Sequence, residues 1–219
     1  MLLQWLQILA GLAVFAAGVH FTIHANIGLA PWDCLGQGIS LHTPLNYGLS
    51  MTCMGVAILL IDLLLGERIG FGTIIDALVT GNFVQLFNDI NPLPENRSIP
   101  AGLAFQLLGF FLMALGQVIY MKAAQCCGPR DALLVGVGKR MPKVPIGFVA
   151  VMVWGAALLL GWLLGGQVGI GTLFSTAGAG LVMQLVNRIL HFEPRSVRHV
   201  DVVKASKALL HASVSLSAT

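Results

Sequence analysis

Charge is scarce in this chain: only 10% of its 219 residues are Asp, Glu, Lys or Arg. Soluble domains carry roughly 25%. With 57% hydrophobic residues and a mean hydropathy of +0.86, the chain has too few polar groups to coat a single water-soluble core. It reads as a polytopic membrane protein. Cysteine is sparse too. Cys34, Cys53, Cys126 and Cys127 show no metal-ligand spacing, and neighbours such as Cys126 and Cys127 are badly placed to bridge one another. No metal or other cofactor is implied. A nucleophile–base pair, a glycine-rich phosphate loop before a strand and a HExxH helix are all missing, which argues against an enzyme. Basic residues are not interleaved with aromatics on a soluble face, so nucleic acid is not an expected partner. The first apolar run, about 2–23, lacks a basic leader and a small-x-small cleavage site, and is read as a membrane span.

What is present is long apolar stretches. Six are long enough for a span of ~20 residues: about 4–24, 46–65, 70–90, 101–121, 146–165 and 170–190. Two shorter stretches, 31–42 and 129–140, start at "APWDC" and "GPRDA". A dozen residues make a helix of ~18 Å, too short for ~30 Å of hydrocarbon. These are expected to be half-helices, either re-entrant or interfacial.

The chain repeats itself. At an offset of 98, Gly11, Gly18, Pro31, Asp33, Leu35 and Gly38 match Gly109, Gly116, Pro129, Asp131, Leu133 and Gly136. After one inserted residue the offset becomes 99. Gly48, Gly66, Gly70, Gly72 and Thr73 then match Gly147, Gly165, Gly169, Gly171 and Thr172. Gly81, Gln85, Leu86 and Asn88 likewise match Gly180, Gln184, Leu185 and Asn187. The expected organisation is a first three-helix repeat at 1–92, a linker at 93–99, a second repeat at 100–191 and a basic tail at 192–219. Three spans per half is an odd number, so the second half would be inverted relative to the first. Charge agrees. With both termini in the cytoplasm, eleven of the twelve Lys and Arg residues fall on that side and only Arg97 lies outside. The tail is either a short helix on the anionic inner leaflet or frayed.

The repeated Pro-x-Asp has two readings. Proline suits the first helical position, and a carboxylate two residues later can accept the free backbone N–H groups and meet the positive helix end. Alternatively Asp33 and Asp131 face each other from opposite leaflets and hold a cation, a proton or a polar solute. Asp76 has no repeat partner and sits inside a span, which marks it as a functional candidate. Thr73 and Thr172 open their helices. Gln85 with Asn88, and Gln184 with Asn187, each share a helical face. They either join helices through amide–amide hydrogen bonds or line a polar path. Asp62 is expected to snorkel or to pair with Arg68. His20 and His24 are expected as an interfacial pair, with Trp32 and Tyr47 as anchors near the outer leaflet. Gly66-x-x-x-Gly70 and Gly161-x-x-x-Gly165 suit close backbone approach or tight turns.

With "GLAPWDCLGQGIS", "GFGTIIDALVTG", "GPRDALLVGVG" and "GIGTLFSTAGAG", the sequence resembles the bacterial YczE/YyaS/YitT-type integral membrane proteins over about 5–190. The resemblance implies a multi-pass protein of the bacterial inner membrane and supplies no catalytic residues. Trp32 of the first motif becomes Arg130 in the second. The expected fold is an all-α membrane bundle of six spans, arranged as two inverted repeats with a half-helix each. The leading functional expectation is a small secondary transporter or channel-like permease for a small solute. Its site would be drawn from Asp33, Asp131, Asp76, Thr73, Thr172, Gln85, Gln184, Asn88 and Asn187. The alternative is a non-transporting scaffold or regulatory partner acting through loop 122–145 and the tail. A homodimer or another protein partner is compatible with either.

Overall fold

The computed structural model describes residues 2–67, 69–90, 93, 96–124 and 128–192. The described residues form eight helices: α1 Leu2–His24, α2 Pro31–His42, α3 Tyr47–Leu64, α4 Phe71–Ile90, α5 Ile99–Ala124, α6 Pro129–Arg140, α7 Ile146–Leu163 and α8 Ile170–Ile189. No strand occurs among them. A helix stands at each of the six expected spans and at both shorter stretches. α2 and α6 have 12 residues each, α3 and α7 have 18, and α4 and α8 have 20.

Five helices, α1, α3, α5, α7 and α8, are long and apolar enough to cross a bilayer. Their outward faces carry bare apolar side chains such as Leu64, Val151, Trp162, Leu163 and Leu173. In water that surface would carry a heavy hydrophobic penalty; against lipid tails it carries none. The chain is a membrane protein. The sixth expected span, α4, has the length but not the same apolarity, because it carries Asp76, Asn82, Gln85, Asn88 and Asp89.

α1 and α5 form the most extensive helix pair. Glycine sets their separation: a Cβ on Gly11 would lie 3.0 Å from the Gly116 carbonyl, and one on Gly109 would lie 2.7 Å from that of Gly18. α4 lies against α1, and α8 against α5. α2 is wedged between α7 and α3, and α6 between α3 and α7. Pro31 and Pro129 each stand in the first helical turn. The residues before them, Ala30 (φ −65°, ψ 156°) and Gly128 (φ −65°, ψ 161°), have nearly the same extended backbone, as a following proline requires. The expected close-packing roles of two glycines resolve into turns: Gly66 (φ +68°) and Gly165 (φ +77°) close α3 and α7 in the left-handed region. Gly161 does serve packing, against the backbone of Cys34 and Leu35.

The two halves differ in one respect. α3 and α4 pack tightly where Gly48 meets Gly81, so closely that a Cβ on either would collide with the other's carbonyl. α7 and α8 barely touch. Gly147 and Gly180, which match Gly48 and Gly81 in sequence, have nothing within 4 Å of an added Cβ among the described residues. Stability should follow this difference. Gly48→Ala or Gly81→Ala should cost about 1–3 kcal/mol through overpacking, read as a lower melting temperature in detergent. Gly147→Ala and Gly180→Ala should melt like the wild type or slightly higher, since alanine favours helix.

Candidate functional site

The N-terminal turns of α2 and α6 meet through side chains. Arg130 Nη1 lies 3.6 Å from Asp33 Oδ1. That is an ion pair but too long for a hydrogen bond. The guanidinium also stands 5.8 Å from the Trp32 ring centroid, within cation–π range, and its Nη2 points at Met51 Sδ, 3.7 Å away. Asp33 is 1% exposed, and neither of its carboxylate oxygens has a hydrogen-bond partner. Asp33 therefore does not cap its helix, and α2 has no side-chain cap at all. The carboxylate is committed to Arg130 across the interface instead.

Asp131, next to Arg130, is exposed, whereas its repeat counterpart Asp33 is buried. Asp76 accepts a hydrogen bond from Thr80 Oγ1 at 2.5 Å. Its Oδ2 would lie 2.9 Å from a Cβ on Gly128, so glycine there lets the start of α6 approach the acid. A carboxylate at that helix end is favourably placed against the dipole. Arg130 pairs with Asp33 and adjoins Asp131 in the chain, and Asp76 stands against Gly128, two residues before it. Three of the expected site residues thus gather around the start of α6.

The other expected site residues do not join them. Gln85 accepts from the Gly48 backbone N–H at 3.0 Å and donates to Asp89 at 2.7 Å, fastening α3 to α4. Asn88 Oδ1 is 2.7 Å from His20 Nδ1, linking α4 to α1. Gln184 is exposed, and Asn187 is half-buried. The expected pairing of symmetry-matched amides does not occur, because α4 and α8 pack on different helices. Thr73 is buried in the first turn of α4, and Thr172 Oγ1 accepts from Gly169 N–H at 3.2 Å to start α8.

The side chains expected at the interface have neighbours within the bundle. His20 is 2% exposed, and its ring centroid lies 4.1 Å from that of half-buried His24, with the rings tilted by 50°. Trp32 faces Arg130, and the Tyr47 hydroxyl is buried without a hydrogen-bond partner among the described residues. Asp62 does not snorkel: it is fully buried, and the end of α6 packs on the residues that follow it, Leu65 and Glu67. Arg68, its expected partner, lies outside the described residues, as do Cys126, Cys127 and the tail 193–219. Cys34 and Cys53 are free thiols, and no group of three or more metal-ligating side chains is found among the described residues.

α6 runs beside α3. Leu133 packs with Met54 and Ile58, Lys139 Nζ bonds to Glu67 at 2.6 and 2.9 Å, and Arg140 donates to the Leu65 carbonyl at 3.0 Å. α6 therefore lies alongside α3, from Met51 near its start to Leu65 just past its end, instead of across one end.

Residues 2–188 match a family described as a family of unknown function, DUF6198. The chain belongs to the DUF6198 family. It is similar to an uncharacterized protein of Haemophilus influenzae, 30% identical over 84% of this chain and 83% of that one. It is also similar to two proteins of Bacillus subtilis. One is named uncharacterized membrane protein YczE, 27% identical over 94% and 96% of the two chains. The other is named uncharacterized protein YyaS, 26% identical over 86% and 95%. The resemblance to YczE/YyaS-type proteins is thereby borne out. No solved structure matches.

In this DUF6198 chain the sequence reading missed Gln106. It is fully buried in α5, and its amide donates to the carbonyls of Gly28 at 3.1 Å and Gly171 at 3.0 Å. It ties α5 to the approach of α2 and the start of α8. A lone glutamine inside "AGLAFQLLGF" was the available signal. Gln106→Leu should leave the Gly28 carbonyl unpaired and strip the Gly171 carbonyl of its bond from outside α8, at about 1–3 kcal/mol. A melting curve in detergent checks this, with Gln117→Leu as the control lacking those bonds.

Proposed function

We propose that the protein is a small secondary transporter of the bacterial inner membrane, with both termini in the cytoplasm. α4 serves as the sixth span, and the two sequence repeats form inverted halves around the Asp33–Arg130 junction. Several contacts support the two-fold relation. The pair Gly11–Gly116 becomes Gly109–Gly18 when each residue is replaced by its repeat partner, and both contacts occur. α2 on α7 likewise exchanges with α6 on α3, and α1 on α4 with α5 on α8.

The observation that carries the transport reading is the unequal state of equivalent parts. In the first half Gly48 and Gly81 hold α3 against α4, and Asp33 is buried. In the second half the matching Gly147 and Gly180 are apart, and Asp131 is exposed. Inverted repeats that adopt different conformations, and exchange them, give alternating access to a central site. With the positive-inside orientation, Gly147 lies at the cytoplasmic end of α7. The conformer is then closed towards the exterior and open towards the cytoplasm.

Thiol accessibility tests this. Asp131→Cys, in a chain whose four native cysteines are replaced, should react with a membrane-impermeant thiol reagent from the cytoplasmic face of vesicles. Adding Gly147→Leu and Gly180→Leu should hold α7 and α8 apart and speed that reaction. A static scaffold would react at the same rate with or without the leucines. Labelling only from the exterior would overturn both orientation and gating. The scaffold reading draws less support. Two of the basic residues it would use, Lys139 and Arg140, are engaged with Glu67 and Leu65 of the same chain.

A further inference from the structure

The start of α6 gathers three carboxylates, Asp33, Asp76 and Asp131, around the single guanidinium of Arg130. Charges of this kind inside a membrane protein are costly unless compensated. Polar groups of α2 and of the first turn of α3, which packs against it, are also unsatisfied. Both carboxylate oxygens of Asp33, Trp32 Nε1, the Tyr47 hydroxyl and the Ser50 hydroxyl are buried without a hydrogen-bond partner. Asp33 is 1% exposed and Ser50 is 0% exposed, so these groups are sealed from bulk water. Native structures leave few such groups without a bound partner.

The one group that does face Asp33 reveals what the place accepts. The Arg130 guanidinium rests over the Trp32 ring and beside the Asp33 carboxylate, yet at 3.6 Å it makes no hydrogen bond there. An aromatic face next to a carboxylate is the chemistry that recognises an organic cation. Arg130 is 28% exposed, adjoins Asp131 and lies two residues from Gly128, where Asp76 stands, so it has other carboxylates to turn to. An anion would meet the free N–H groups at the half-helix starts but also three carboxylates. A metal ion would find an indole ring instead of a third ligand.

We infer that Trp32, Asp33, Tyr47 and Ser50 form a binding site for a monovalent organic cation, an ammonium or guanidinium, in which Arg130 stands as a tethered occupant. An incoming cation takes the place beside Asp33, and Arg130 transfers to Asp76 and Asp131. Because Arg130 belongs to α6, that transfer links occupancy to the helix beside the open second half. The inference rests on the transport reading of this site and names its solute class.

The experiment is chemical rescue in the purified full-length protein in detergent. Methylguanidinium and tetramethylammonium are the probes, with sodium chloride and sodium phosphate at equal ionic strength as controls. Arg130→Ala should melt below the wild type, because Asp33 loses its counter-charge. Methylguanidinium should raise its melting temperature by about 5 °C when present at roughly a hundredfold excess over its dissociation constant. The wild type should need about tenfold more probe, since Arg130 competes, and Asp33→Asn should lose the response in either background. Should Arg130→Ala fail to fold, the comparison of wild type with Asp33→Asn decides alone. The inference is overturned if the cations shift Asp33→Asn as much as wild type, if phosphate stabilises and cations do not, or if no cation shifts any variant. Rescue of Arg130→Ala with cysteine labelling indifferent to the gate leucines would uphold the site and remove the transport reading. The reverse pattern would uphold transport and remove the cation.

Discussion

The contact between Asp33 and Arg130 joins two helices that are each too short to cross a bilayer. A half-helix presents unpaired N–H groups and a partial positive charge at its start, and in hydrocarbon those groups cannot be left bare. The chain answers by placing both starts inside the protein and giving each a carboxylate in its first turn. Pro31 and Pro129 remove one donor each and fix the entry backbone. Asp33 and Asp131 bring negative charge, Arg130 balances part of it, and Asp76 closes on the start of α6 across Gly128. The surrounding arrangement follows: α3 and α7 flank both half-helices, and α1 and α5, drawn together by glycines, form the other side of the bundle.

Much of the architecture was legible because lipid makes sequence explicit. A span must be apolar for some twenty residues, and a turn between spans must break that pattern. The eight helices therefore end within a few residues of where the hydropathy and glycine patterns place them. The same argument did not reach the tertiary partners of polar side chains. Gln85 and Gln184 are equivalent in sequence, but one bonds a neighbouring backbone and the other is exposed, because α3 packs on α4 while α7 barely touches α8. Trp32 and Tyr47 were assigned to the interface because aromatics near helix ends usually lie there. Nothing local distinguishes such a ring from one facing a buried cation. For Asp62 the distance from the span end was readable, but not its full burial next to residues on which α6 ends.

Differences between the repeats matter as much as the matches. Gly55 packs against Ala77, whose Cα would lie 3.3 Å from a Cβ added at Gly55, where the second half has Trp154 and Thr176 at the equivalent places. Two α-helices cannot approach backbone to backbone across an indole. Closure of α7 on α8 would therefore be confined to the Gly147–Gly180 end and would not run deeper, as it does between α3 and α4. The halves would exchange states without becoming copies of each other, and the gate on the cytoplasmic side would be the looser of the two.

The pair Trp32 and Arg130 gives a physical reason for joining the halves in one chain. They occupy the same position of the repeat and face each other, so under the proposed two-fold relation they lie at the axis. Two identical subunits would be compelled to place like against like there. Two arginines beside two aspartates would cancel charge but leave no aromatic face. Two tryptophans would leave the buried carboxylates without any cation. Only a chain whose halves can diverge is able to set one arginine against one tryptophan. That arrangement leaves the carboxylates in excess of the guanidinium, the condition under which a mobile cation is attracted and still has a competitor that lets it leave.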